Sequence, residues 1–218
     1  MKLIIGNKNY SSWSLRAWLL PAFHAISFEE VRISLSVSGT SAAIARYSQA
    51  GKVPVLHDGD LVVWDSLAIC EYISERYLGG GGWPEDMDMR AEARACSAEM
   101  HSGFPVLRQL MPMNCRAEGR RVKMTSDVRK DIERIDALWS SLRKKYARRG
   151  PWLFGDFSIA DCMFAPVVFR FATYSPQISE ASKAYMDTVL SHPTLILWQQ
   201  QACQEEEVID EEEKGNAC

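Results

Sequence analysis

Apolar and polar positions divide the chain into two textures. Residues 2 to 5, KLII, form a short apolar run, and WSLRAWLLPAFHA follows with Trp13, Ala17, Leu20 and Phe23 at helical spacing. Strand, turn and helix are predicted there. VRISL (31 to 35) predicts a second strand and the polar stretch after it a short helix, before VPVLHDGDLVVWD, where Asp58-Gly59 sits between two β-rich runs as a hairpin signal. SLAICEYISERYL then returns to helical period, so residues 1–78 read as a small α/β domain of order β-α-β-(α)-β-β-α.

GGGGWPEDMDM breaks this periodicity, because four glycines do not hold a helix and Pro84 does not continue one. Residues 79–88 are therefore predicted to be a linker. From Met89 the pattern is helical throughout, with Val128, Ile132, Ile135, Trp139 and Leu142 on one stripe and SIADCMFAPVVFRF as a further helix. Residues 89–204 are expected to form an all-α domain, and 205–218 an acidic tail.

Composition narrows the function. A chain of 218 residues, 47% hydrophobic with seven tryptophans, buries a real core. The net charge of -3, without a basic stripe interleaved with aromatics, excludes a general nucleic-acid binder. Glu205 to Lys214 alone carries -6, leaving about +3 elsewhere, and this charge run reads as a solvated, frayed end. The six cysteines, Cys70, Cys96, Cys115, Cys162, Cys203 and Cys218, form no C-x-x-C and no cysteine–histidine spacing, so neither a metal site nor a dithiol is expected. Reduced thiols fit a cytoplasmic protein, and neither a signal peptide nor a membrane segment is expected.

Three stretches of the first domain offer chemistry. Ser11-Ser12-Trp13-Ser14 places three hydroxyls where the first strand meets the first helix. They read either as helix capping or as an active-site turn. In Lys52-Val53-Pro54-Val55 the proline marks an edge strand or strand start, or else a cis bond that presents the N–H and C=O of Val53 to another peptide. Asp65-Ser66-Leu67-Ala68-Ile69 reads as a cap, or as an anion site in which Ser66 and first-turn N–H groups bind a carboxylate and Asp65 an ammonium. Together these suit a zwitterionic peptide bearing a thiol.

In this combination the chain resembles a cytosolic glutathione S-transferase of the serine type over nearly its whole length. SSWSLR corresponds to the thiol site, VP to the cysteinyl backbone and DSLAI to the γ-glutamyl end, while Ser158-x-x-Asp161 resembles the capping box of the family's second domain. The zeta-like pattern SSCxWRxR is matched at Ser11, Ser12, Ser14 and Arg16. It is broken at Trp13, Leu15 and Trp18, so a bacterial-type serine transferase fits better than the zeta isomerase.

The resemblance implies a thioredoxin-like N-terminal domain and an all-α C-terminal domain, glutathione as co-substrate, no metal, and a homodimer. It implies conjugation of the thiolate to a small apolar electrophile. A non-catalytic ligand carrier or assembly subunit, and a maleylacetoacetate-type cis-trans isomerase, stand as alternatives. Lowering a thiol from about 8.5 to 9 by about two pKa units needs roughly 2.7 kcal/mol, within reach of one charge-assisted hydrogen bond of about 1.5 to 3 kcal/mol. Ser11 is assigned to the thiolate with Ser12 as the substitute, Ser14 to capping the helix, and Arg16 to a carboxylate or acidic neighbour. Val53, Pro54, Asp65 and Ser66 are assigned to the rest of the peptide. The electrophile pocket is expected between the domains, from Met100, His101, Phe104, Arg108, Met111, Arg116 and Phe169, with Arg108 or Arg116 receiving an anionic group. Asn114 and Tyr174 are further candidates.

Overall fold

A computed structural model describes residues 1–216. The first part of the chain builds a four-stranded mixed sheet in the order β2-β1-β3-β4, from β1 (Lys2–Ile5), β2 (Glu29–Arg32), β3 (Val55–Asp58) and β4 (Leu61–Trp64). β1 is parallel to β2 and antiparallel to β3, and β3 is antiparallel to β4. Helices α1 (Ser12–Phe23), α2 (Thr40–Ala45) and α3 (Ser66–Leu78) cover it. The second strand lies earlier than its apolar residues suggest, because parallel pairing with β1 selects Glu29 to Arg32 opposite Lys2 to Ile5.

Alternation along β1 assigns its two faces. Leu3 and Ile5 join the large core, whereas Ile4 joins a small cluster with Ile33, Ile44 and Val55 on the α2 side. Proline does not break this sheet, since Pro54 falls one residue before β3, a central strand.

The rest is helical: α4 (Met87–Ser102), α5 (Pro105–Leu110), α6 (Ser126–Tyr146), α7 (Ile159–Tyr174), α8 (Glu180–Ser191) and α9 (Pro193–Cys203). α4 starts inside the expected linker because Asp86 accepts the N–H of Met89 at 2.8 Å and caps it. The linker itself is fastened: Gly82 donates to the Ser74 hydroxyl at 3.0 Å and accepts the N–H of Ile159 at 2.8 Å. A Cβ at Gly82 would stand 2.7 Å from that hydroxyl oxygen, so this crossing admits glycine alone.

On α6 the predicted stripe of Val128, Ile132, Ile135, Trp139 and Leu142 is buried. α7 is buried on all sides and packs against α1, α3 and α4. Its start carries the expected box: Asp161 accepts from the N–H and hydroxyl of Ser158, and also from Leu153 N–H and Tyr185 hydroxyl. Burial pushes the Asp161 carboxyl up to about 6 despite these donors. Among the described residues no helix is long and apolar enough to cross a membrane, and Cys70, Cys96, Cys115, Cys162 and Cys203 are free thiols. Cys218 lies outside the described residues.

The acidic tail is a solvated end only in part. Glu205, Glu207 and Glu213 are all paired: Glu205 with the N–H groups of Lys8 and Asn9, Glu207 with Arg32 and Ser34, Glu213 with Tyr10, Asn114 and Arg120. These three acids are held by cations, hydroxyls, an amide and peptide N–H groups, whereas Glu206, Asp210 and Glu211 are exposed as expected.

Candidate functional site

Strand register carries the three sequence motifs to one end of the sheet. Ile4 lies opposite Val55, and Val55 opposite Trp64. The serine turn after β1, Val53-Pro54 before β3 and Asp65-Ser66 after β4 therefore leave the sheet side by side.

In the serine turn the three hydroxyls divide the work differently from the sequence assignment. Ser11, not Ser14, is the N-cap of α1: its oxygen accepts the N–H of Ser14 at 3.4 Å, and its hydroxyl donates to Ser14 Oγ at 2.7 Å. Ser14 is fully buried and accepts the N–H of Gly6 at 3.0 Å, fastening the helix to the strand it follows. Ser12 begins α1, and its hydroxyl has no hydrogen-bond partner among the described residues. An unpaired donor thus sits at a helix N-terminus, where backbone N–H groups and the helix dipole favour negative charge.

The Val53-Pro54 bond is cis, and the N–H and C=O of Val53 make no hydrogen bond among the described residues. At the third corner Asp65 caps α3 by accepting the N–H groups of Leu67 and Ala68 at 2.9 and 3.3 Å. Its backbone is held at φ 78°, outside the usual region for a residue with a side chain. Such strain costs of order 1–3 kcal/mol and gathers at binding sites. Its other oxygen lies 3.0 Å from His101 Nε2. Ser66 is 1% exposed, yet its hydroxyl has no partner.

Beside this corner stands a feature the motifs did not announce. Trp13 lies 4.5 Å from the guanidinium of Arg16 and 4.7 Å from that of Arg108, and its ring meets His101 edge-on at 5.2 Å. Arg16, on α1, forms no ion pair with an acidic neighbour among the described residues, which removes one of its two expected partners; it is 2% exposed, with Nε and Nη1 unsatisfied. Burial, then the nearby charges of Arg108 and Arg170, hold it well below the usual arginine range. Arg170, on α7, is pushed down to about 10 by burial and by Arg108. Arg170 donates to the carbonyls of Arg108 and Met111, and Arg108 to those of Met100 and His101. None of the three forms an ion pair among the described residues. Buried cations without counter-ions are costly, and the cluster makes a positive region beside Trp13 in which an anion would be favoured.

The expected electrophile wall is only partly present. His101 and Arg108 border Trp13, but Met100, Met111 and Phe169 are core residues at most 2% exposed, and Phe104 is 7% exposed. These apolar side chains serve packing between helices and do not form a methionine-rich surface. Arg116 is committed elsewhere, donating to Tyr10 and to the backbone carbonyls of Glu205 and Glu207. Asn114 bonds Asn9 and Glu213, and the Tyr174 hydroxyl is buried without a partner. Arg170 escaped the sequence assignment although it left a signal, one charge inside the otherwise apolar FAPVVFRFA.

Known proteins resemble this chain in sequence and fold. Residues 10–76 match the model of the glutathione S-transferase N-terminal domain, and residues 115–198 that of its C-terminal domain. The dichloromethane dehalogenase of Methylorubrum extorquens is 38% identical over 60 residues, 27% of this chain and 21% of that protein. The chain thus spans about a fifth of the length of that relative. Glutathione S-transferase Z2 of Arabidopsis thaliana is 26% identical over 172 residues, 74% of each chain. A glutathione transferase homologue from Burkholderia, solved with bound glutathione, superposes with a TM-score of 0.72 at 21% identity, covering 94% of this chain and 98% of that one. With both domain models matched in order on one continuous fold, the chain belongs to the glutathione S-transferase family.

Proposed function

We propose that the chain is a glutathione-dependent transferase whose second substrate is a small electrophile bearing negative charge. The observation that carries this reading is that the groups offered to the tripeptide are those the protein leaves unsatisfied: the Ser12 hydroxyl, the Val53 peptide and the buried Ser66 hydroxyl. Ser12 donates to the thiolate at the α1 N-terminus, with Ser11 shaping the turn. Val53 pairs with the cysteinyl backbone, Ser66 and the first turn of α3 with the γ-glutamyl carboxylate, and Asp65 shares its outer oxygen between His101 and the ammonium.

The thiolate then attacks the electrophile, whose negative group is met by Arg108, with Arg16 and Arg170 behind it. This replaces the apolar electrophile expected from the sequence, because the cluster beside the serine turn is cationic. Cis-trans isomerisation uses the same thiolate, which adds to a conjugated double bond and is expelled after rotation, and an anionic substrate suits it equally. The exposed apolar side chains of Trp64, Tyr77 and Met87 on β4, α3 and α4 suit a homodimer.

The test is a panel at fixed glutathione: paired electrophiles of matched reactivity with and without a carboxylate, a neutral chloronitrobenzene, and maleylacetone. Preference for carboxylate-bearing substrates supports the reading; equal turnover of the neutral partners refutes the anionic part. Saturating glutathione that yields no thiolate absorbance places the chain among non-catalytic carriers.

A further inference from the structure

The turn that presents Ser11 and Ser12 is held from the far end of the chain. Glu205, 6% exposed at its side chain, accepts the N–H of Lys8 with Oε1 at 2.7 Å and that of Asn9 with Oε2 at 3.0 Å. The peptide unit that gives its Lys8 N–H to Glu205 gives its other end, the Asn7 carbonyl, to the N–H of Ser11 at 2.8 Å. One amide plane therefore joins the tail carboxylate to the serine turn. A carboxylate on the N–H polarises that amide and strengthens the bond its carbonyl accepts.

Other contacts converge on the same loop. Arg116 gives its N–H to Asn9 Oδ1 at 2.9 Å and its side chain to the Tyr10 hydroxyl and to the carbonyls of Glu205 and Glu207. Glu213 accepts the Tyr10 hydroxyl at 2.7 Å, and Cys115 donates its N–H to the Asn9 carbonyl at 3.2 Å. Within the first domain itself the loop is anchored by Asn7 Oδ1 accepting the N–H of Leu35, by Lys8 Nζ donating to Glu30 at 2.7 Å and by Gly6 donating to Ser14, none of which holds the Lys8 and Asn9 N–H groups.

We propose that Glu205 is a positioning residue for the thiol site, fixing through the Asn7–Lys8 peptide the turn from which the active serine acts. This rests on the reading of that turn as the thiol site. Glu205 touches no substrate. Its removal acts by letting the turn shift, and displacements of about 1 Å in such sites cost as much as 100-fold in rate.

The sign of the effect separates positioning from charge. Deleting a carboxylate near a thiolate lowers the thiol's titration midpoint by electrostatics alone, whereas loosening the serine turn raises it. The experiment titrates the ultraviolet absorbance of enzyme-bound glutathione thiolate in the full-length wild type, Glu205→Gln and Glu207→Gln, and measures kcat and KM for glutathione in each. Glu207 lies on the same tail and shares Arg32 with Glu205, at 2.8 Å from Glu207 Oε1 and 3.4 Å from Glu205 Oε1, but its side chain otherwise bonds Ser34 and reaches no peptide of the serine turn.

In Glu205→Gln the midpoint is expected to rise by about one pH unit and kcat to fall about tenfold, with KM for glutathione changed less than threefold, whereas Glu207→Gln matches the wild type. Glu205→Asp, which keeps the charge but is too short for both N–H groups, is expected to give a smaller rise and serves if the Gln variant does not fold. A midpoint unchanged or lowered in both Glu205 variants overturns the proposal while the thiol-site reading stands. Absence of thiolate at neutral pH in the saturated wild type overturns the thiol-site reading itself, and this proposal with it.

Discussion

His101 Nε2 lies 3.0 Å from Asp65 Oδ2, so the carboxylate proposed for the γ-glutamyl end already has a partner from α4. Asp65 also caps α3 with its other oxygen, which separates its two duties by atom. Asparagine caps equally well and tolerates a positive φ. Asp65→Asn is therefore expected to keep thermal stability within about 0.5 kcal/mol while raising the glutathione KM about tenfold, the loss of one charge-assisted bond of about 1.5 kcal/mol or more. Unchanged KM would mean that His101 keeps the carboxylate and the ammonium binds elsewhere.

The serine assignment separates in paired variants. Ser12→Ala is expected to raise the titration midpoint of bound glutathione by about one to two pH units, since one charge-assisted hydrogen bond is worth about 1.5 to 3 kcal/mol and 1.36 kcal/mol corresponds to one unit. Ser11→Ala removes the N-cap and is expected to cost about 1 kcal/mol of stability with a midpoint close to wild type. Titrating both variants decides between them, and a raised midpoint confined to Ser11→Ala returns the thiolate to Ser11.

Arg16→Met tests whether the buried guanidinium is kept for function at the expense of stability. Replacing a buried charge that has no counter-ion with a side chain of similar length is often stabilising, here by about 1 to 2 kcal/mol. Denaturant unfolding is expected to show that gain, while KM for a carboxylate-bearing electrophile rises about tenfold and KM for a neutral one stays level. A destabilised variant would show instead that stacking on Trp13 outweighs the burial of charge.

The docked tail carries its own pH dependence. The Ser34 hydroxyl, then the neighbouring Arg32, hold the Glu207 carboxyl down at about 2, against 4.5 for the free group. Depressed in the folded state, it stabilises fully above about pH 4.5, and that contribution is lost as pH falls toward 2. The stability difference between wild type and Glu207→Gln should be constant above about pH 5 and shrink toward zero near pH 2. A difference independent of pH across that range would rule the docking contact out.

Local signals carried most of the architecture. Period-two and period-3.6 patterns placed β1, β3, β4, α3 and α6, and Ser158-x-x-Asp161 marked the start of α7, because each depends on neighbours within one helical turn or one hairpin. The three motifs at the sheet's end were visible for the same reason. Division of labour among Ser11, Ser12 and Ser14 was not, since it turns on which hydroxyl meets Gly6 across the turn. The tail was misread in part, because acids held by Arg32, Arg120 and peptide N–H groups look the same in sequence as the exposed Glu206, Asp210 and Glu211. Arg16, Arg108 and Arg170 lie on three helices, and no spacing within one segment announces their meeting.

Finally, the large core runs without interruption from Leu3 and Leu15 through Ile69 to Phe164 and Trp198. The two halves of this chain are therefore not interchangeable parts. A chimera that kept residues 1–78 and took its helical half from a relative would have to match the α1–α7 seam side chain by side chain, because both helices are buried and share one core. Substrate preference in such a lineage changes more readily by replacing single residues around Trp13 than by exchanging domains.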